Sequence, residues 1–168
     1  SINTGTSYIG INSPEDKSGD WVTPFEQDPL LANTIYTGYD KVYKSSNGGS
    51  TWVSISQGFG ENLNHLKIAP SSNLVMYASH GNTLYKTING GTTNWTQLSG
   101  FSGSINSIAI HPTNPNKVAI ATTSDQKVYV SNNGGITWIS YLYDLPDFSA
   151  QALVWENNGR DGLYLGMN

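Results

Sequence analysis

The sequence predicts an all-β protein, a β-propeller of four-stranded antiparallel blades, and three observations predict it. The first is an eight-residue stretch that recurs along the chain. Ser45-Ser46-Asn47-Gly48-Gly49-Ser50-Thr51-Trp52 returns as Ser131-Asn132-Asn133-Gly134-Gly135-Ile136-Thr137-Trp138 and, with one residue inserted, as Thr87-Ile88-Asn89-Gly90-Gly91-Thr92-Thr93-Asn94-Trp95. A weaker copy, Ser1 to Tyr8, places the shared glycine at 5, 49, 91 and 135, in steps of 44, 42 and 44. Such a period is the size of one propeller blade, about 40–50 residues. The second is a proline in step with the octads, at Pro29, Pro70 and Pro112. The third is the intervening sequence, which is short, rich in β-branched and aromatic residues, and bounded by turn formers.

Each repeat then divides into four strands. The first is the apolar run before the proline: Trp21 to Gln27, Leu63 to Ile68, Ile105 to Ile110. The second follows it at Thr34 to Thr37, Leu74 to Tyr77 and Lys117 to Ile120. The third carries a tyrosine: Lys41-Val42-Tyr43, Thr83-Leu84-Tyr85, Lys127-Val128-Tyr129. The fourth follows the glycine turn, as in Thr51-Trp52-Val53-Ser54-Ile55. The Asn-Gly pairs are expected to take the positive φ angles of a tight hairpin. The Ser or Thr before each pair is placed to bond nearby backbone groups. The tryptophan after it is large enough to fill the gap between neighbouring sheets.

In phase with this pattern, residues 1–12 read as the end of a split blade, 20–56, 62–98 and 104–141 as blades, and 150–168 as the start of a split blade. The chain is expected to be a run of about four blades cut from a larger ring. Its two ends supply three strands of one blade and omit the fourth. The remaining blades of a parent protein, or another copy of the chain, are the expected structural partners.

Composition narrows the function. Charged residues make up 12% of the chain, about half the usual share. Their place is taken by Ser, Thr, Asn and Gly in a chain apolar enough to fold. The net charge is −4, and Arg160 is the sole arginine. Without a basic cluster, nucleic acid and anionic membrane surfaces are poor partners, and no nucleic acid is expected. The absence of cysteine rules out a disulfide framework, a Cys-based zinc site and a thiol nucleophile. The apolar runs fall far short of the roughly 20 residues that span a bilayer, so membrane insertion is not expected.

The octads resemble the Asp-box, or bacterial neuraminidase repeat, with Asn3, Asn47, Asn89 and Asn133 where the family pattern has aspartate. The resemblance runs through nearly the whole chain. Members of that family include sialidases, xyloglucanases, sortilin-type receptors, a photosystem assembly factor and secreted surface proteins of gliding bacteria, and the composition is most similar to the last. The resemblance implies a secreted or cell-surface protein. It also implies that the box is a structural hairpin away from the binding face, formed by Ser45, Asn47, Gly49 and Trp52, by Thr87, Asn89, Gly91 and Trp95, and by Ser131, Asn133, Gly135 and Trp138.

No complete active site is legible. The resemblance to sialidases implies three arginines on the substrate carboxylate, and only Arg160 exists. Glycoside hydrolysis needs two carboxylates roughly 5–10 Å apart. On the face that carries the inter-blade loops and the turns between second and third strands, Asp40, Glu61, Asp125, Asp144 and Asp147 are available. Asp40 and Asp144 are the candidates for an alternative reading as part of a xyloglucanase-type glycoside hydrolase, with one catalytic carboxylate here and its partner in further blades. The same face is expected to carry Tyr39, Phe59, His80, Phe101, Tyr143 and Phe148, whose rings suit stacking on sugars while nearby Asn and Asp bond hydroxyls. Phe59, Phe101 and Phe148 also recur in successive inter-blade loops, so plugging the core is the competing reading for them. His65, His80 and His111 are too scattered for a metal site, and no cofactor is expected. His111 stands where Asp28 and Ala69 stand in other repeats and reads as a variant within a turn. The Gly-Gly pairs lack the Gly-Lys-Ser/Thr of a phosphate loop. Asn94-Trp95-Thr96 matches an N-glycosylation acceptor. The favoured function is a non-catalytic binding or scaffold module with a glycan or protein ligand.

Overall fold

The computed structural model describes residues 11–14, 19–125, 127–141 and 149–168, and every regular element among them is a β-strand. Strands β1 (Phe25–Gln27), β2 (Ile35–Gly38), β3 (Val42–Ser45) and β4 (Val53–Ser54) form one antiparallel sheet in sequence order. A second sheet is built from β5 (His65–Ala69), β6 (Ser72–His80), β7 (Thr83–Thr87) and β8 (Thr96–Leu98). The third holds β9 (Ile105–Ile110), β10 (Val118–Thr122), β11 (Val128–Ser131) and β12 (Ile139–Tyr141). Strands β13 (Ala150–Trp155) and β14 (Leu163–Met167) make a two-stranded sheet. The register repeats: Tyr43 lies opposite Thr37, Tyr85 opposite Ala78, and Tyr129 opposite Ile120.

The sheets stack face to face, with one apolar layer between each adjacent pair. Tyr36, Val42, Leu66, Met76 and Trp95 fill the first layer. Tyr77, Leu84, Ile108, Val118 and Ile120 fill the second. Ala109, Ala119, Ala121, Val128, Val130 and Trp155 fill the third. Strand β10 shows why the sequence is apolar without alternation. Both of its faces are covered, so Val118 and Ile120 point into one layer while Ala119 and Ala121 point into the next. The innermost strands β1, β5, β9 and β13 adjoin one another in that order.

Each of the three described octads is a cage of side-chain bonds. Ser45 Oγ accepts the Gly49 N–H at 2.8 Å and donates to Asn47 Oδ1 at 2.9 Å. Asn47 Oδ1 also accepts the Thr51 N–H at 2.9 Å, and Asn47 Nδ2 donates to Thr51 Oγ1 at 2.9 Å. Ser131, Asn133, Gly135 and Thr137 repeat all four bonds. The octad of Thr87, Asn89, Gly91 and Thr93 keeps three and lacks the backbone bond from Thr93.

Three expectations need correction. The left-handed backbone falls on the glycine pairs, with φ of 69° and 92° at Gly48 and Gly49, and not on the asparagines. The asparagines serve through their side chains instead. The tryptophans fill the layers unequally: Trp95 is 3% exposed, whereas Trp52 and Trp138 are only half-buried. Strand β1 begins at Phe25 rather than Trp21, since Pro24 has no amide hydrogen for the ladder.

Candidate functional site

The strands set two opposite ends of each sheet, and the loops divide between them. At one end the octads are stitched to the β1–β2 and β9–β10 connections and to the start of β6. There Gly48 N–H donates to Asn33 O, Gly90 N–H to Leu74 O, and Gly134 N–H to Asn116 O, at 2.8, 2.9 and 2.7 Å. At the other end the inter-sheet loops meet the β2–β3, β6–β7 and β10–β11 turns. Leu63 N–H donates to Tyr39 O, Phe59 N–H to Asp40 O, Ile105 N–H to Gly81 O and Thr123 N–H to Ser104 O, at 2.8–2.9 Å. This second end is the loop face on which the sequence places its candidate ligand-binding residues.

The described candidates on this face have different surroundings. Phe59 is 9% exposed, stacks on Tyr85 at 4.3 Å between centroids and meets Trp95 edge-on at 6.1 Å, so its ring belongs to the first apolar layer. Phe101 is partly buried between Tyr129 and Trp138 against the second. Neither ring is presented as an open platform. Tyr39 is half-buried, its ring edge-on to Tyr43 and its hydroxyl 3.3 Å from Ser13 Oγ. Asp40 is half-buried in the β2–β3 turn, and Asp125 is exposed in the β10–β11 turn. Tyr143, Asp144, Asp147 and Phe148 lie outside the described residues, as does the octad copy of Ser1 to Tyr8.

Two clusters bring polar groups together there. His80 Nδ1 is 3.6 Å from the exposed Glu61 carboxylate, and its Nε2 is 3.5 Å from the Tyr85 hydroxyl. Nearby in the fold, Asn64 bridges two loops. Its Nδ2 donates to Asp20 Oδ2 at 2.6 Å, and its Oδ1 accepts the Gly81 N–H at 2.9 Å. The Trp21 N–H donates to the other oxygen of Asp20, and the Trp21 side chain is 98% exposed. In the sequence Trp21 reads as the start of the first strand, whereas in the fold it lies in the loop before β1. Pro24, three residues on, was the available signal.

The opposite end carries clamps between sheets. Asp28 receives the Leu30 and Leu31 N–H groups and the Tyr36 hydroxyl on its own sheet, and Asn73 Nδ2 of the next. Burial works to raise this carboxyl, but bonds from Tyr36, Leu30, Asn73 and Leu31 prevail and hold it below the usual range. Burial, with the same carboxylate beside it, pushes the Tyr36 hydroxyl well above its ordinary value. His111, at the equivalent position of the third sheet, is a clamp too rather than a neutral variant. Its Nε2 is 2.7 Å from Asp161 Oδ1, while Lys117 Nζ is 2.9 Å from Asp161 Oδ2. Among the described residues, no three His, Asp or Glu side chains group to hold a metal ion.

No family model and no curated protein matches the chain. Solved structures do. An ancestral GH74 enzyme superposes over 95% of this chain and 23% of its own, with a TM-score of 0.70 and 21% identity. The GH74 xyloglucanase from Xanthomonas campestris covers 86% of this chain and 26% of its own, with a TM-score of 0.66 and 16% identity. YCF48 from Cyanidioschyzon merolae covers 70% and 35%, with a TM-score of 0.55 and 19% identity. The fold is a β-propeller. Its blades are the sheets described above, and the chain spans about a quarter of the length of the GH74 enzymes that it matches.

The blades also differ in completeness. In the first two layers the later blade contributes a third-strand tyrosine and an octad tryptophan: Tyr85 and Trp95, then Tyr129 and Trp138. In the third layer, among the described residues, no such pair comes from the two-stranded sheet. A cavity of about 400 Å³ lies there, lined by Val128, Val130, Tyr141, Leu163 and Leu165.

Proposed function

We propose that this propeller segment is a non-catalytic carbohydrate-binding module of a secreted or cell-surface protein, and that it takes its glycan on the loop face beside Trp21. The observation that carries the reading is the wholly exposed Trp21 indole next to the Asp20–Asn64 pair. An indole in water is an unpaid hydrophobic surface, and the CH face of a pyranose covers it through burial and dispersion. Asp20, Asn64 and Glu61 supply acceptors and donors for hydroxyls around it. We read the octads as Asp-box repeats, since Asn47 Oδ1 takes the two bonds that an aspartate would accept from Ser45 and Thr51.

One of the similar structures is a GH74 xyloglucanase by name, which makes plant β-glucans the first ligands to test. Calorimetric titration of the chain with xyloglucan oligosaccharides, preceded by a glycan array, is the direct experiment. Binding is expected, and Trp21→Ala is expected to weaken it at least about tenfold, which is about 1.4 kcal/mol. Thermal unfolding should not move, because the side chain packs on nothing. A blank array, or binding indifferent to Trp21→Ala, refutes the reading.

The likeness to GH74 enzymes also favours a second reading, in which Asp40 or Asp144 is one carboxylate of a glycoside hydrolase and the other lies in further blades of a longer protein. Xyloglucan hydrolysis by the protein, lost in Asp40→Asn, would establish it. In either case the cavity of the third layer is suited to the tyrosine and tryptophan of a further repeat, supplied by the remainder of a longer protein or by another copy of the chain.

A further inference from the structure

The Asn-Gly pairs of the octads carry a chemistry that ligand binding does not use. In a flexible chain, the backbone nitrogen of such a glycine attacks the Cγ carbon of the preceding asparagine. A C–N bond forms, the glycine nitrogen gives up its proton, the side-chain amide departs as ammonia, and a succinimide ring remains. Water then opens the ring to aspartate or isoaspartate. Glycine favours the reaction because it has no side chain to obstruct the approach.

Both reacting groups are tied down in the folded octads. The nucleophilic nitrogens are those of Gly48, Gly90 and Gly134, whose N–H groups donate across to Asn33 O, Leu74 O and Asn116 O. The electrophilic amides are held at both atoms. Asn47 and Asn133 each accept two bonds on Oδ1 and donate one from Nδ2. Attack requires the glycine N–H bond to break and the amide to rotate out of its cage. We infer that each folded octad shields its Asn-Gly pair from succinimide formation, so that Asn47, Asn89 and Asn133 are latent deamidation sites exposed only when their hairpin opens.

The cage also sorts the products. An aspartate keeps an oxygen for Ser45 Oγ and Thr51 N–H, and its second oxygen accepts the Thr51 hydroxyl, which turns from acceptor to donor. Isoaspartate adds a methylene to the backbone and moves the carboxylate off that geometry. Asn89 lacks the bond that Thr51 and Thr137 give through their backbone nitrogens, so it is the least restrained of the three.

The test is deamidation of the full chain at mildly alkaline pH, read site by site by peptide mapping, in native buffer and in concentrated urea. Native rates are expected to be at least about tenfold lower than in urea, because only the open fraction reacts. Asn89 is expected to be the fastest native site. Ser45→Ala should accelerate Asn47 while Asn89 and Asn133 in the same molecules serve as unchanged controls. Thr51→Val, which removes only the acceptor of Asn47 Nδ2, should do the same to a smaller degree and covers the case in which Ser45→Ala fails to fold. Equal rates in buffer and urea, or an Asn47 rate unmoved by either substitution, overturns the inference.

Discussion

The indole Nε1–H of Trp95 donates to the carbonyl oxygen of Ile55 at 2.9 Å, so the hairpin of one blade is fastened to the residue that follows the outer strand of the blade before it. Trp138 does the same to Ser99 at 3.1 Å, and Trp52 to Asn12 at 2.7 Å. The three bonds are alike, but the burial behind them is not, and this separates their energetic weight. Trp95→Ala is expected to cost about 3–5 kcal/mol, the range for emptying a buried aromatic site. Trp52→Ala leaves a half-exposed position and is expected to cost about 1–2 kcal/mol. Urea denaturation midpoints of the two variants check the order.

Within the octad, the hydroxyl of Ser45 matters more than the amide of Asn47. Ser45→Ala strands the buried Gly49 N–H and is expected to cost about 1–3 kcal/mol. Asn47→Asp preserves the cage by reversing one hydroxyl, and a change below about 1 kcal/mol is expected. Chemical denaturation of both variants beside the parent chain gives the comparison. A larger loss for Asn47→Asp than for Ser45→Ala would contradict this account of the hairpin.

The two glycines of one turn should respond differently to alanine. A Cβ on Gly91 would stand 2.0 Å from the backbone oxygen of Ile55, which has no room to yield. A Cβ on Gly90 would meet only the tip of Leu74 at 3.3 Å. Both have positive φ, 68° and 82°, so each pays the left-handed penalty of about 1–2 kcal/mol. Gly91→Ala adds overpacking of a further 1–3 kcal/mol or so. Thermal unfolding of the pair measures the difference.

Acid should unfold the protein in two stages. His65 is half-buried against the Ile105 carbonyl, and its desolvation pulls the pKa below the ordinary value, assisted by Lys67. The unfolded chain therefore takes up this proton first. The stability is whole above about pH 6.5 and declines as the pH falls through the lower folded value. Asp28, also depressed, contributes fully above about pH 4 and loses its contribution below that. His65→Gln should flatten the first limb of a stability–pH curve and Asp28→Asn the second, as followed by urea midpoints at stepped pH.

The periodic part of the molecule was legible because each repeat states it again. Tyr43, Tyr85 and Tyr129 occupy one register, and the octads fold into one cage, as their spacing implied. Trp21 was misread because its apolar run continues into β1 and only Pro24 interrupts it. The turn was misassigned at the asparagines because Asn-Gly and Gly-Gly overlap in the same three residues, and side-chain bonding rather than φ selects the asparagine. The aromatic candidates of the loop face were ambiguous for a different reason. Whether Phe59 points outward or into a layer depends on Tyr85 and Trp95, which lie some thirty residues away in the sequence and beside it in space. The clamp between His111 and Asp161 is likewise a contact between two sheets and leaves no mark on either one alone.

The three described octads each reach backward: Gly49 against Ile11, Gly91 against Ile55, Gly135 against Leu98. The molecule therefore has a direction of assembly. During synthesis a newly emerging hairpin finds its dock already translated, so each unit can settle without waiting for the one behind it. Duplication of one unit at the trailing end inherits the same advantage, because the copy arrives with a finished surface to lean on. Loss of a leading unit is the more damaging event, since it removes the support on which its successor was built.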